Sequence, residues 1–272
     1  MTDSPVVVVG AGLAGLACAT TLHAGGIPVV VLESDDGVGG RVRTDHVDGF
    51  TLDRGFQVAL TAYPELHRQF DMAALDLQAF DPGALVWRNG KGSVVGDPFR
   101  KPTTVLDTAL APIGSPVDKA RIALLRRRLR GVHPARLLAG DDMTTLEALR
   151  QAGFSDTIVE RFFTPLVGGI QLDPTLGDSR RMFDVIFRML ADGESAVPAA
   201  GMQAIPEQLA AQLPAGAIQL DAPVSAATSD SVTIGDGDGD TVAAAAVVVA
   251  TQGPAASDLL GLPAVPSKSA GT

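Results

Sequence analysis

The sequence predicts an α/β protein, and three observations lead to this class. A β-branched run, Pro5–Val9, ends at Gly10 and is followed by a segment with helical spacing. The middle of the chain carries amphipathic helical patterns, and the part after Ile218 is rich in short β-branched runs. With 272 residues, 46% of them hydrophobic, the chain is long enough to bury one large core or two modest ones.

Composition narrows the class of function. A formal net charge of −10 argues against nucleic acid as a partner, because phosphate backbones require concentrated Lys and Arg. The single cysteine, Cys18, and four scattered histidines predict neither a disulfide framework nor a metal site. No signal peptide is recognisable and the apolar runs are shorter than a membrane span, so we expect a cytoplasmic protein.

The first 33 residues have the pattern of one βαβ unit. Pro5–Val9 predicts a buried parallel strand, and Leu13–Ala24 predicts a helix that ends at Gly25–Gly26. A second β-branched run, Pro28–Leu32, predicts the next strand and is closed by Glu33. The whole spans the length expected of a strand, crossover helix and parallel strand.

The middle section predicts a hairpin and several helices. The sequence WRNGKG after Val86 is typical of a hairpin turn. Asp118–Arg130 predicts an amphipathic helix with Ile122, Leu125 and Leu129 inward and its arginines outward. Thr144 and Glu147 form a capping box before a short helix, and Met182–Leu190 predicts a helix with a wide apolar stripe.

The last part of the chain predicts a strand meander. Pro223–Ala226, Ser231–Ile234 and Thr241–Ala250 are β-rich pieces around the Gly/Asp turn Gly235–Asp240. Within the last of them, Val247–Val249 predicts a buried strand that leads into a loop.

A glycine pattern after the first strand predicts a dinucleotide site. Gly10, Gly12 and Gly15 have the G-x-G-x-x-G spacing, which allows a tight turn, close approach of a pyrophosphate, and close packing of helix on strand. The helix N-terminus then offers N–H groups to the phosphates. Glu33 follows at the end of the second strand, where it can accept hydrogen bonds from a ribose, and a carboxylate there disfavours a 2′-phosphate.

A second glycine segment helps to distinguish between FAD and NAD, which share this glycine pattern. Gly37, Gly39 and Gly40 allow a backbone crossing near a cofactor, and Arg41 or Arg43 can clamp a pyrophosphate. An NAD-dependent dehydrogenase does not require such a segment, so the residues favour FAD and leave NAD as an alternative.

These motifs together resemble a known family. GAGLAGL, then Glu33, then GVGGRVRT, then LDRGFQV at Leu52–Val58 resemble the N-terminal signature of FAD-dependent amine oxidases. That superfamily also contains phytoene desaturases and protoporphyrinogen oxidases. Three later segments agree with it: RFFTPLVGGIQLDP at Arg161–Pro174, VPAAGMQAIPEQLA at Val197–Ala210, and VVVATQGP at Val247–Pro254.

The resemblance implies a fold and a division into domains. The expected architecture is an FAD/NAD(P)-binding Rossmann-like domain of the glutathione-reductase type with an inserted, mostly helical substrate domain. Residues 1–85 and 215–272 would form the discontinuous FAD-binding domain, and residues 86–214 would form part of the substrate domain.

The resemblance also implies roles by position. The turn residues would hold the pyrophosphate, Glu33 the ribose and Arg41 the phosphate side, while Val224 resembles the valine whose backbone meets the adenine. Thr251 would lie where the cofactor domain returns under the flavin, and residues 55–57 near the isoalloxazine. The predicted FAD site comprises Gly10, Ala11, Gly12, Leu13, Ala14, Gly15, Glu33, Ser34, Gly39, Gly40, Arg41, Gly55, Phe56, Gln57, Val224 and Thr251.

The expected activity is hydride transfer to flavin from an amine or from an apolar, unsaturated, carotenoid- or porphyrin-like small molecule. No catalytic side chain is assigned, because the lysine that many amine oxidases place near the flavin belongs to a part that follows the segments seen here. An incomplete FAD-binding fragment, inactive without a complementary C-terminal polypeptide, is the second expectation, and an NAD-dependent dehydrogenase the third. The arginines at 126–128 and 130 predict a solvated helix face, with contact to an anionic membrane as the alternative.

Overall fold

The computed structural model describes residues 4–55, 57–235 and 239–265. Phe56 and the centre of the predicted turn at 235–240 lie outside the described residues. The strands are β1 Val6–Val9, β2 Val29–Leu32, β3 Thr44–Val47, β4 Phe50–Asp53, β5 Ala59–Leu60, β6 Leu77–Ala79, β7 Gly83–Arg88, β8 Lys91–Gly96, β9 Ser195–Pro198, β10 Ile218–Gln219, β11 Val224–Ala227, β12 Ser231–Ile234, β13 Asp240–Ala243 and β14 Ala246–Val249.

The helices occupy mainly the middle of the chain. They are α1 Leu13–Ala24, α2 Pro64–Gln69, α3 Val105–Leu110, α4 Pro116–Arg130, α5 Pro134–Ala139, α6 Thr145–Gln151, α7 Asp156–Ile158, α8 Gly169–Gln171, α9 Arg180–Asp192, α10 Ala204–Ala210 and α11 Gly253–Leu260. A single 3₁₀ turn at Pro102–Thr104 precedes α3, and Val159–Gly168 is a π-helix between α7 and α8.

A four-stranded parallel sheet joins the two ends of the chain. Its order is β10-β2-β1-β14, so a strand from the last thirty residues lies beside the first strand. Val7 and Val8 in β1 are fully buried in two different clusters, and α1 packs Leu16 and Ala19 into the cluster of Val8. The α/β class predicted from the sequence is confirmed.

The predicted strand Thr241–Ala250 is two strands of different sheets. β13 pairs antiparallel with β12, while β14 pairs parallel with β1. The hydrogen bonds change partner between them, because Ala244 N donates to Asp230 O (2.8 Å) and Ala245 N donates to Pro5 O (2.9 Å). β14 is half-buried rather than buried, since it is the end strand of the described sheet.

The hairpin and the capping box predicted in the middle section are confirmed, and helix α4 is confirmed with a different start. The hairpin β7–β8 turns at Asn89 and Gly90, both with positive φ (49° and 75°). The Thr144–Glu147 capping box starts α6. Helix α4 begins two residues earlier than predicted, because Ser115 caps it and Pro116 fits its first turn.

Two side-chain orientations differ from the pattern. Arg126 does not point outward: its guanidinium contacts Asp97 (3.0 Å), donates to Ala191 O (2.9 Å) and lies 4.6 Å from the centre of the Phe99 ring. Met182 is 47% exposed, so the apolar stripe of α9 is narrower than its sequence indicates. The Arg126 difference arises from contacts with Asp97, Phe99 and Ala191, which lie on elements distant in the sequence.

An aromatic core holds the middle section together. Phe163 of the π-helix meets Phe154 and Phe183 edge to face, with ring centroids 4.9 and 6.0 Å apart. Such pairs add about 0.5–1.5 kcal/mol each beyond the area they bury. None of the described helices has both the length and the apolar character that a bilayer span requires.

Candidate dinucleotide site at the start of helix α1

The turn between β1 and α1 depends on two glycines. Gly10 has φ +103° and donates its N–H to Leu32 O (2.7 Å), which joins the turn to β2. A Cβ on Gly15 would lie 1.9 Å from Gly10 O, closer than any real contact. Because only a glycine fits there, α1 can start directly against the end of the strand.

The N-terminus of α1 is open. The first helical hydrogen bond runs from Leu16 N to Gly12 O (2.9 Å), and within the described part of the chain no side chain caps the helix. A Cβ on Gly12 would meet nothing within 4 Å. First-turn N–H groups without an intrahelical partner, such as that of Ala14, therefore border this space with a partial positive charge. This arrangement suits a pyrophosphate.

Glu33 is a buried carboxylate beside this turn, with 7% of its surface exposed. Its Oε2 accepts the N–H of Ala11 (2.6 Å), and its Oε1 accepts the N–H of Asp35 (3.0 Å) and the hydroxyl of Ser34 (3.1 Å). A carboxylate has about four acceptor positions, so three donors leave room for one more. The Ser34 residue is exposed. A ribose hydroxyl fits the remaining acceptor capacity.

The second glycine segment crosses the first. Gly39 N donates to Ala11 O (2.9 Å), and Gly39 pairs with Gly12 as an isolated parallel bridge. A Cβ on Gly40 would lie 3.4 Å from the Gly12 Cα. Gly39 and Gly40 both have positive φ, at 116° and 58°. The backbone crossing that the sequence predicts is present.

The two arginines of this segment differ in their partners. Arg43 pairs with Asp36 (2.8 Å), is only 11% exposed, and lies over Gly37. The hydrogen bond and the charge of Arg43 lower the pKa of Asp36 below its ordinary value. Arg41 is exposed and forms no ion pair with any described residue. Arg41 is therefore the guanidinium available to an anion.

Gln57 ties the following loop to the glycine segment. Its Nε2 donates to the carbonyl oxygens of Arg41 and Arg54. Gly55, two residues earlier, is exposed and has φ +93°.

Val224 and Thr251, the last two residues of the predicted site, lie near Glu33 and near Gly10 respectively. Ala222 N donates to Glu33 O (2.8 Å), and Val224 follows two residues later, half-buried at the start of β11. Thr251 follows β14, and a Cβ on Gly10 would lie 3.5 Å from its Cγ2. Segments from both ends of the sequence therefore meet at the carboxyl end of the parallel strands. The roles of these residues as cofactor ligands stay predictions.

A polar network that the motifs did not indicate supports the glycine segment. Thr44 Oγ1 donates to Asp53 Oδ1 (2.6 Å) and accepts the N–H of Gln203 (3.0 Å), whose Oε1 accepts Thr44 N (3.0 Å). Asp53 Oδ1 also accepts the N–H of Met202 (2.8 Å). These bonds join β3 and β4 to the residues just before α10, and Pro206 of α10 packs beside Gly39. The bonds to Met202 and Gln203 span 149 and 159 residues, so no local sequence signal indicates them.

The residues fit the adenosine and pyrophosphate part of FAD on three points. Free space lies over Gly12, an open helix N-terminus faces it, and Glu33 retains an acceptor position. Among the described residues, no three His, Cys, Asp or Glu side chains are grouped to hold a metal ion.

Comparison with known proteins agrees with this geometry. The profile of the flavin-containing amine oxidoreductases matches residues 13–270. Coproporphyrinogen III oxidase of Propionibacterium freudenreichii subsp. freudenreichii is 31% identical over 206 residues, which cover 71% of this chain and 37% of that protein. Putrescine oxidase of Kocuria rosea is 30% identical over 245 residues, which cover 82% of this chain and 48% of that protein. The chain thus spans less than half the length of these two relatives.

A solved structure shares the fold. Cyclohexylamine oxidase from Brevibacterium oxydans IH-35A superposes with a TM-score of 0.67 at 21% identity, over 95% of this chain and 60% of that one. The predicted Rossmann-like fold is confirmed, and the predicted flavin cofactor, FAD, is confirmed for the family. The chain belongs to the flavin-containing amine oxidoreductase family.

Proposed function

We propose that the protein is an FAD-dependent oxidoreductase that removes a hydride from an amine or from an apolar unsaturated small molecule. The observation that carries the proposal is the contact of Gly12 with Gly39 and Gly40 over the open N-terminus of α1. The names of the two relatives, one a coproporphyrinogen oxidase and one a putrescine oxidase, span these two substrate classes. Bound FAD would supply the two-electron redox chemistry.

The chain's own residues would bind and orient this cofactor. Backbone N–H groups at Gly12–Gly15 hold the pyrophosphate, Glu33 accepts from the ribose, and Arg41 neutralises the phosphates. Val224 meets the adenine, while the loop of Gln57 and the residue Thr251 lie towards the flavin ring. The division into residues 1–85 and 215–272 around 86–214 belongs to the same proposal. We assign no catalytic side chain.

A test of this site compares two glycines at which a Cβ would meet nothing within 4 Å and φ is not positive, Gly12 at the site and Gly169 away from it. Gly12 has φ −71° and ψ 176°, which alanine adopts, so Gly12→Ala changes the free energy of unfolding by less than about 0.5 kcal/mol. Its methyl group fills the space over the helix N-terminus, so we expect FAD to bind at least about tenfold more weakly. The measurement is visible flavin absorbance retained on gel filtration, after titration of the purified chain with FAD.

The matched control is Gly169→Ala, which is helical, also meets nothing within 4 Å, and lies in α8. We expect it to retain wild-type affinity for FAD. Absence of flavin absorbance in the wild-type chain, or equal FAD affinity in Gly12→Ala and wild type, would contradict the proposal. Tight NADH binding without flavin would favour the NAD-dependent alternative.

The complementary C-terminal polypeptide stays a prediction, which stoichiometric FAD with no oxidation of amines or porphyrinogens by the chain alone would support. The cytoplasmic location stays a prediction. Membrane contact through the arginines of α4 has little support, because Arg126, Arg128 and Arg130 all lie near carboxylates.

A further inference from the structure

The tip of hairpin β7–β8 places two like charges opposite each other. Arg88 and Lys91 are register partners on either side of the two-residue turn. Like charges directly opposite in an antiparallel pair destabilise it. The arrangement costs free energy that an anion bound between the two side chains would offset.

One face of the same hairpin lines a cleft. Alternation along the strands places Val86 with Arg88, and their register partners Ser93 and Lys91 share that face. All four line a cleft of about 440 Å³, within the size range of small-molecule sites. Trp87 lies on the opposite face and is 69% exposed.

The other wall of the cleft comes from the π-helix and the loop before α4. Arg161 lines it, and its Nη1 donates to Pro112 O (3.0 Å), which orients the guanidinium. Val86 packs with Phe162 on the core of Val95, Ala111 and Ile113, so hydrophobic packing connects the two walls.

The charges around the cleft are unbalanced. Most described arginines pair with a carboxylate, and the chain as a whole has a formal net charge of −10. Within the described ranges, no ion pair forms at Arg88, Lys91 or Arg161. Three unpaired cations are thus concentrated around apolar surface from Val86 and Pro112 on an otherwise acidic protein.

We propose that this cleft binds a ligand that carries two or more carboxylate groups on an apolar body. Guanidinium groups bind carboxylates through two parallel hydrogen bonds, and the ammonium of Lys91 adds a point charge. The apolar wall selects against small inorganic anions, and the positive charge selects against amines. This inference does not depend on the proposed cofactor chemistry.

The test uses benzene-1,3-dicarboxylate as the probe. The fluorescence of Trp87, the single tryptophan of the sequence, reports binding. Isothermal titration calorimetry gives the affinity independently. We expect saturable binding that weakens as salt is added, and weaker binding of isophthalamide, 1,3-bis(aminomethyl)benzene and inorganic phosphate. Phosphate binding as tightly as the dicarboxylate would overturn the apolar part of the proposal, and tighter binding of the diamine would overturn the whole.

Substitutions separate this cleft from a general effect of charge. Arg88→Gln and Arg161→Gln should each raise the Kd of the dicarboxylate about tenfold, while Arg127→Gln, an exposed arginine of α4, should leave it unchanged. Arg88→Glu creates an attractive pair with Lys91, so it should raise Tm while it abolishes binding. Equal Kd values for Arg88→Gln and Arg127→Gln would overturn the proposal. FAD titration of the same samples shows whether the cofactor site fails separately.

Discussion

Two buried carboxylates in this protein are satisfied to different degrees. Asp118, fully buried at the start of α4, accepts four hydrogen bonds, two from Ser115 and two from Ser155. Burial by itself raises the pKa of Asp118, but these four hydrogen bonds outweigh burial and hold that pKa well below its ordinary value. Glu33 is nearly as buried and accepts only three.

This difference separates a carboxylate that the protein supplies with four donors from one that retains acceptor capacity beside an open turn. With about four acceptor positions per carboxylate, Asp118 is saturated by the protein, whereas Glu33 can accept from a bound molecule. Their surroundings agree with this distinction. Glu33 adjoins the open turn at Gly12, while Asp118 is enclosed by a helix start and the loop at Ser155.

The largest effect on stability is expected for Asp118→Asn. The amide group would face N–H and O–H donors that need an acceptor, which costs about 2–3 kcal/mol in the free energy of unfolding. Because the folded pKa is depressed, the carboxylate stabilises the protein above its unfolded pKa of about 3.9 and ceases to do so as the pH falls through the folded value. Urea denaturation at pH 7, repeated at decreasing pH below 4, measures both effects.

The control for this substitution is Asp258→Asn, at an exposed carboxylate of α11. It should change the free energy of unfolding by less than about 0.5 kcal/mol. If Asp118→Asn is equally mild, the four hydrogen bonds of Asp118 stabilise the fold no more than an exposed carboxylate does.

A smaller loss of stability together with a loss of binding is expected for Glu33→Gln. The one remaining oxygen can still accept the N–H of Ala11, so the free energy of unfolding should fall by about 1–2 kcal/mol. The Kd for FAD should rise about tenfold, because the ribose loses a charged acceptor. Denaturation and FAD titration on one preparation measure the two quantities. If FAD affinity is unchanged and the free energy of unfolding falls as much as in Asp118→Asn, Glu33 stabilises the fold and does not bind the cofactor.

The smallest effect is expected at the exposed capping box of α6, the counterpart of the buried capping box that Ser115 and Asp118 form at the start of α4. Thr144 Oγ1 accepts the N–H of Glu147 (3.1 Å), and Glu147 Oε2 accepts the N–H of Thr144 (3.0 Å), at the start of α6. Thr144→Ala should cost about 0.5–1 kcal/mol, since water can replace the lost bond. Thermal and urea unfolding measure it, and Thr144→Ser is the matched variant that retains the cap. A loss as large as that of Asp118→Asn would show that burial does not distinguish the two boxes.

Much of the site was predictable because its signals are local. The turn at Gly10–Gly15, the acid at the end of β2 and the box at Thr144 each depend on backbone conformation within a few residues, which side-chain type controls directly. The Asn89–Gly90 turn was predictable for the same reason. The failures occurred where packing decides: Arg126 is drawn inward by Asp97 and Phe99, and Met182 turns outward although its spacing matches the apolar stripe.

The sequence by itself determined the βαβ unit, the glycines that leave its helix N-terminus open, and the identity of the acid beside it. Only the tertiary structure decided that Gly39 lies on Gly12, that β14 lies beside β1, and that Ser155 completes the bonds of Asp118. The physical reason is the distance along the sequence over which each interaction acts. Backbone propensity acts over one turn of helix or strand, whereas these contacts join residues from 27 to about 240 positions apart and form only when the separate elements bury their apolar faces together.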